Sequence, residues 1–182
     1  MLKVDPVLGW AAATAAAAIF AASGALKLYD LAAFRSAASN YRILPQWLEF
    51  PFAWAVPLVE CTAAFGLLLP ACRARAALAL VALLGAFTAA VAINLARGRT
   101  DIDCGCFGPA LRQRLSWWLL ARNGALFALL AIALMPADGR ALGLLDGATV
   151  GFTAATVVVL YVAANYLIAN APGLRGLRAL NA

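Results

Sequence analysis

The chain has 182 residues, of which 65% are hydrophobic and 12% charged, with a net charge of +6 and no histidine. A water-soluble domain carries roughly a quarter charged residues, so much of this chain must face something other than water. The lack of histidine excludes a Ser-His-Asp triad, a His-ligated haem and mixed Cys/His zinc sites, and no Lys/Arg run interleaved with aromatics is present to bind nucleic acid.

A spanning helix needs about 20 mostly apolar residues, and the sequence supplies five such runs. The first, Pro6 to Leu26, is uncharged and includes Ala15 to Ala18. Small side chains let helix backbones approach closely in lipid, which predicts a central position for this helix. Lys3 ahead of an apolar run also fits a signal peptide. The run is long for one, however, and lacks an Ala-x-Ala site followed by a polar start, so it is expected to remain as a span.

Lys27 to Glu49 is mixed, with Phe34 and Tyr41 seven residues apart and Arg35 and Arg42 following each. Aromatics beside arginine suit the headgroup zone, which predicts an interfacial helix that turns at Pro45. The second span is expected over Phe50 to Cys72, interrupted only by Glu60, and the third over Ala76 to Ala96. The fourth, Ser116 to Pro136, opens on Trp117 and Trp118 and contains Arg122. Gly147 to Leu174 is long enough for a fifth, tilted span, ended by Ala171-Pro172-Gly173 and a short basic tail. The expected fold is an all-α polytopic membrane protein, a compact bundle of four to five transmembrane helices in the lipid bilayer, with an interfacial helix after the first span.

The most polar interval between two long apolar runs is Thr100-Asp101-Ile102-Asp103-Cys104-Gly105-Cys106-Phe107-Gly108-Pro109. Cys104 and Cys106 can close a disulfide only if the backbone bends to bring the Cα atoms within reach, and Gly105 permits that bend. A strained disulfide is easier to reduce, hence a better oxidant. Arg97, Arg99, Arg112 and Arg114 flank the loop and favour thiolates, while Asp101 and Asp103 oppose them. A static staple across one residue removes little chain entropy, and a thiolate metal site needs about four ligands, which Cys61 and Cys72 are badly placed to complete. Thiol–disulfide exchange is therefore the leading reading, with no metal expected.

Two charges lie at membrane depth. Glu60 is about ten residues into the second span, or ~15 Å along a helix, and Arg122 is about six residues into the fourth. A carboxylate in hydrocarbon must pair or neutralise. Glu60 therefore pairs with Arg122 or with Lys27, as a structural ion pair or as a proton carrier coupled to the thiols.

The run Ile93 to Gly108, with its Asp-Cys-Gly-Cys-Phe-Gly core, resembles the signature of the MauE family, methylamine-utilisation membrane proteins related to DoxX. Leu44-Pro45 and Pro57-Leu58-Val59-Glu60 fit the same pattern, so the likeness covers roughly residues 5 to 140. It implies a MauE/DoxX-like domain over 1–140 and an additional helix and tail over 141–182 packed with the same bundle. It also implies electron transfer through Cys104 and Cys106 to or from a thioredoxin-like or disulfide-containing partner, supported by Asp101, Asp103, Gly105, Phe107 and Gly108, as in methylamine dehydrogenase maturation.

The implied location is the bacterial inner membrane. Ten of the 14 basic residues share the side of the cysteine loop, a bias that marks a cytoplasmic face. The family role requires the opposite face, because disulfides persist in the periplasm. A protein that regenerates its own oxidant needs an acceptor such as a quinone, and Trp117, Trp118 and Phe107 are candidates to line its site, although belt aromatics are the commoner use. The alternatives to exchange are a non-catalytic scaffold or chaperone for a maturation partner, and a small-molecule or metal carrier with Asn94, Asn123 and Asn165 as its few polar residues.

Overall fold

Alanine makes the first helix the hub of the bundle. In the computed structural model, which describes residues 5–105, 113–136 and 140–180 with side chains through 170, Pro6–Tyr29 forms α1. Its start is set by Asp5, whose side chain accepts from the Val7 N–H at 2.9 Å, with proline at the first helical position. Ala11, Ala12, Ala13, Ala15, Ala16 and Ala17 are all buried. That small-residue surface allows α1 to pack against α3 (Gln46–Leu67), α5 (Trp117–Leu134) and α6 (Leu144–Leu180). The third long helix in chain order, α4 (Arg73–Ala96), closes the bundle against α3 and α5. Leu67, Leu80 and Leu130 are fully buried where α3, α4 and α5 meet. In lipid such packing, rather than exclusion of water, drives helix association.

The helices α1, α3, α4, α5 and Leu144–Asn170 of α6 are each long and apolar enough to cross a membrane. Large apolar side chains such as Phe50, Phe65, Leu78, Phe152 and Leu167 lie exposed on their outer faces, as a lipid-facing surface requires. The five expected spans are therefore present, with shifted ends. The second begins at Gln46, where Pro45 serves as the cap residue of α3, and stops at Leu67, where the chain turns toward α4, rather than running from Phe50 to Cys72.

The segment between the first two spans contains a ten-residue helix, α2 (Leu31–Asn40), too short to cross a bilayer. Asp30 caps it by accepting from the Ala33 N–H at 2.9 Å. Within α2, Phe34 turns toward the protein. It is buried against α3 and stacks on Phe52 with ring centroids 6.1 Å apart. Two small clamps hold the ends of the bundle. At one end Arg140 bridges Asp5 at 3.2 Å and Asp146 at 2.8 Å, joining the starts of α1 and α6. The hydrogen bond from Val7 and then that from Arg140 hold the Asp5 carboxyl below its usual range. At the other end Arg99 donates to Asn94 Oδ1 (3.0 Å) and to the carbonyls of Asn40 (3.0 Å) and Tyr41 (3.3 Å), tying α2 to α4.

Candidate functional site: a cysteine loop over a buried guanidinium

After α4 the chain folds back on itself through a short antiparallel bridge between Asp103 and Arg114. The Cys104 N–H donates to the Gln113 carbonyl at 2.8 Å, and the Leu115 N–H donates to that of Ile102 at 3.0 Å. Asp103 sets the turn: its Oδ1 accepts from the N–H groups of Gly105 (3.3 Å) and Gln113 (3.2 Å). Gly105 has φ +72°, and a Cβ there would lie 2.8 Å from Ala37 Cβ on α2. Only glycine fits a left-handed residue pressed against a neighbouring helix. Tyr41, at the end of α2, donates its hydroxyl to the Cys104 carbonyl at 3.3 Å. These contacts seat Cys104, 8% exposed, in an apolar cluster with Val91, Leu95, Ile102, Leu115 and Leu119.

Beneath the loop lies Arg122, buried one and a half turns into α5. Its Nη1 donates to Gln113 Oε1 and to Asn165 Oδ1, both at 3.3 Å. Its Nε and Nη2 donate to Asn123 Oδ1 at 3.3 and 3.1 Å. Nη2 also lies 3.9 Å from Cys104 Sγ. The amides are themselves fixed. Asn165 donates to the Tyr161 carbonyl at 2.7 Å, Gln113 Nε2 donates to Asn165 Oδ1 at 3.3 Å, and Asn123 donates to Thr88 Oγ1 at 2.9 Å. Guanidinium offers five N–H donors in a rigid fork, and this cradle of neutral oxygens orients the fork so that one arm reaches the sulfur. A cation at that distance favours thiolate over thiol.

A second charged group lies deeper in the bundle. Lys27 Nζ donates to both Glu60 oxygens, at 2.5 and 2.6 Å, and to Ser23 Oγ at 2.8 Å. Its ammonium also lies 5.4 Å from the Phe34 ring centroid and 5.3 Å from that of Phe87, within cation–π range. The helices must come close for this pair to form. A Cβ on Gly24 of α1 would lie 2.7 Å from Cys61 Sγ and 3.0 Å from the Pro57 carbonyl oxygen of α3. A cavity of ≈ 40 Å³ lies between the Lys27–Glu60 pair and the Arg122–Asn123 pair.

Comparison with known proteins places the chain. Residues 5–136 match the family model described as "Methylamine utilisation protein MauE". Curated relatives named methylamine utilization protein MauE include one from Paracoccus denitrificans, 41% identical over 90% of this chain and 89% of its own length. Another, from Paracoccus versutus, is 42% identical over 90% and 88%, and one from Methylophilus methylotrophus is 32% identical over 90% and 87%. The chain belongs to the MauE family. An alignment over 90% of the chain extends past residue 136 and into α6. With its five candidate spans, this MauE chain is a multi-pass bacterial membrane protein. No solved structure matches it.

In this MauE chain the residues singled out from sequence fall into two groups. Cys104, Asp103, Gly105 and Arg122 come together at the loop. Lys27 and Glu60 pair with each other, which decides between the two partners expected for Glu60. Asp101 lies at the exposed rim with Arg114, at 3.2 Å. Cys106, Phe107, Gly108 and Arg112 lie outside the described residues. Two of the arginines expected to polarise the thiols are engaged elsewhere: Arg99 holds α2, and Arg114 holds Asp101. Trp117 is exposed at the start of α5, as a belt aromatic is. Sequence reasoning missed Gln113 altogether and noted Asn123 and Asn165 only as two of the few polar residues that a transport path would have. Their signal was three amides flanking or interrupting apolar helices near one end of the membrane, where each needs a hydrogen-bond partner.

Proposed function

We propose that this protein is a membrane thiol–disulfide exchange protein that passes electrons between the Cys104/Cys106 pair and a thioredoxin-like or secreted partner, in support of methylamine utilisation. The observation that carries the reading is the Arg122 guanidinium held 3.9 Å from a buried cysteine sulfur by three amides. A packing cysteine has no use for such a cradle, whereas an exchanging thiolate does. Residues 1–140 form the exchanging unit, and the segment 141–182 completes it through Asn165.

In this reading the burial of Cys104 sets its role. At 8% exposure Cys104 is beyond the reach of another protein, so the partner joins Cys106 as a mixed disulfide. The Cys104 thiolate then attacks the Cys106 sulfur, the partner leaves as a thiolate, and the Cys104–Cys106 disulfide remains. The partner gains the two electrons that the pair loses. The reverse sequence reduces this pair and oxidises the partner.

Acid trapping of thiols in cells carrying single serine variants tests this assignment. Cys104→Ser is expected to accumulate a mixed disulfide with a partner, and Cys106→Ser to abolish it. Retained maturation activity in both variants would favour a non-catalytic scaffold instead. The exchange reading also puts the loop on the periplasmic face, so a membrane-impermeant maleimide is expected to label Cys106 after reduction of intact cells.

A further inference from the structure

A pocket of ≈ 150 Å³ opens between α2, α3 and α4. Phe34, Phe52, Phe87, Tyr41, Leu44 and Cys104 are among its walls, and it is almost wholly apolar. Exposed Ala86, halfway along α4, also borders it, which gives access from the hydrocarbon layer. An apolar cavity of about this size accepts one benzene-sized ring. Phe34 and Phe52 stack, and Phe52 meets Phe87 edge to face at 6.3 Å, so the aromatic wall is ordered. Tyr41 supplies a hydroxyl that donates to the Cys104 carbonyl.

We propose that this pocket takes the ring of a lipid-soluble quinone, which reoxidises the cysteine pair from the membrane side. The proposal rests on the exchange reading above and adds the electron acceptor. A lipid acyl chain would also fill apolar space, but it has no use for a redox-active cysteine on the wall. The step balances. Two thiols become one disulfide, two electrons and two protons pass to the quinone, and the quinol returns to the bilayer. The partner protein is served from the loop side and the quinone from the α2–α4 side, so the two need not compete for one surface.

The test uses the full chain in lipid nanodiscs and a benzoquinone carrying one isoprene unit. Reduced protein is expected to convert one quinone to quinol per cysteine pair, followed by the loss of quinone absorbance. Ala90→Phe, which fills the pocket from α4, is expected to slow this at least tenfold, and Phe52→Leu several-fold. Both variants are expected to exchange with glutathione disulfide within twofold of the parent, which shows that they are folded. Binding of the same quinone to oxidised protein, measured by equilibrium dialysis, is expected to weaken in the same order. Exchange with glutathione disulfide but no quinol formation would overturn the quinone site and leave the exchange reading standing. Equal quinone rates in parent and both variants, or displacement by a saturated hydrocarbon ring as effectively as by quinone, would also overturn it. Loss of glutathione exchange in the parent itself would sink the exchange reading, and the quinone step with it.

Discussion

The bundle buries two cations on the same side of the membrane and treats them in opposite ways. Lys27 is closed off by a carboxylate: both Glu60 oxygens meet its ammonium, Ser23 Oγ accepts a further hydrogen bond from it, and two aromatic rings flank it. Arg122 is held by neutral amide oxygens from Gln113, Asn123 and Asn165, with the Cys104 sulfur as a further neighbour. A carboxylate neutralises a charge, whereas a neutral amide oxygen orients it. The first arrangement fixes α1 to α3, and in the exchange reading proposed above the second serves the Cys104 sulfur.

The largest expected effect breaks the closed pair. Glu60→Gln leaves a buried ammonium with no carboxylate, a change that costs about 3–5 kcal/mol in buried pairs. Thermal unfolding in detergent should drop accordingly, while the double variant Lys27→Met, Glu60→Leu recovers much of the loss. Arg122 should behave differently. Arg122→Gln is expected to slow exchange about tenfold at neutral pH, the equivalent of one unit in a thiolate titration, with a smaller change in melting temperature. Arg122→Lys should rescue little of that rate, because an ammonium lacks the planar fork that meets four partners at once.

Two glycines sharpen the same contrast. Gly24→Ala presses on Cys61 and Pro57 beside the ion pair, and should lower the melting temperature without slowing exchange in the protein that remains folded. Gly105→Ala meets Ala37 and forces a side chain into a left-handed conformation that costs about 1–3 kcal/mol. That penalty falls on the loop, so exchange should slow while global melting changes little. The smallest effect is at the far clamp. The Asp5 carboxyl is held below its ordinary value of 3.8 in the folded protein, so its contribution is complete above that value and is lost as the pH falls through the lower folded one. Melting curves below about pH 4 should show that loss in the parent and less of it in Arg140→Ala, with little difference between the two slopes at neutral pH.

Much of the fold was legible because bilayer thickness imposes a length on apolar runs, and five runs of that length stand in the chain. The ends were less so. Pro45 and the turn after Leu67 decide where α3 starts and stops, and hydropathy alone extends it to Cys72. The Glu60 pair was legible as a necessity, since a carboxylate in hydrocarbon needs a cation, but the choice of Lys27 over Arg122 depends on how α1, α3 and α5 are rotated. The amide cradle was not legible. Gln113, Asn123 and Asn165 come from a loop and two helices as many as 52 residues apart, and no local spacing announces their meeting. The packing of Phe34 was not legible for a related reason: an aromatic beside an arginine gives no sign of which helix covers it, here through Phe52.

The central claim is that Arg122 acts on the Cys104 sulfur. It is tested most directly by the pH dependence of Cys104 alkylation with a small reagent, in protein where Cys61, Cys72 and Cys106 are replaced by alanine, with and without Arg122→Gln. The account expects the midpoint to move to higher pH by about one unit when the guanidinium is removed. The same midpoint in both proteins would contradict it and return Arg122 to a purely structural role.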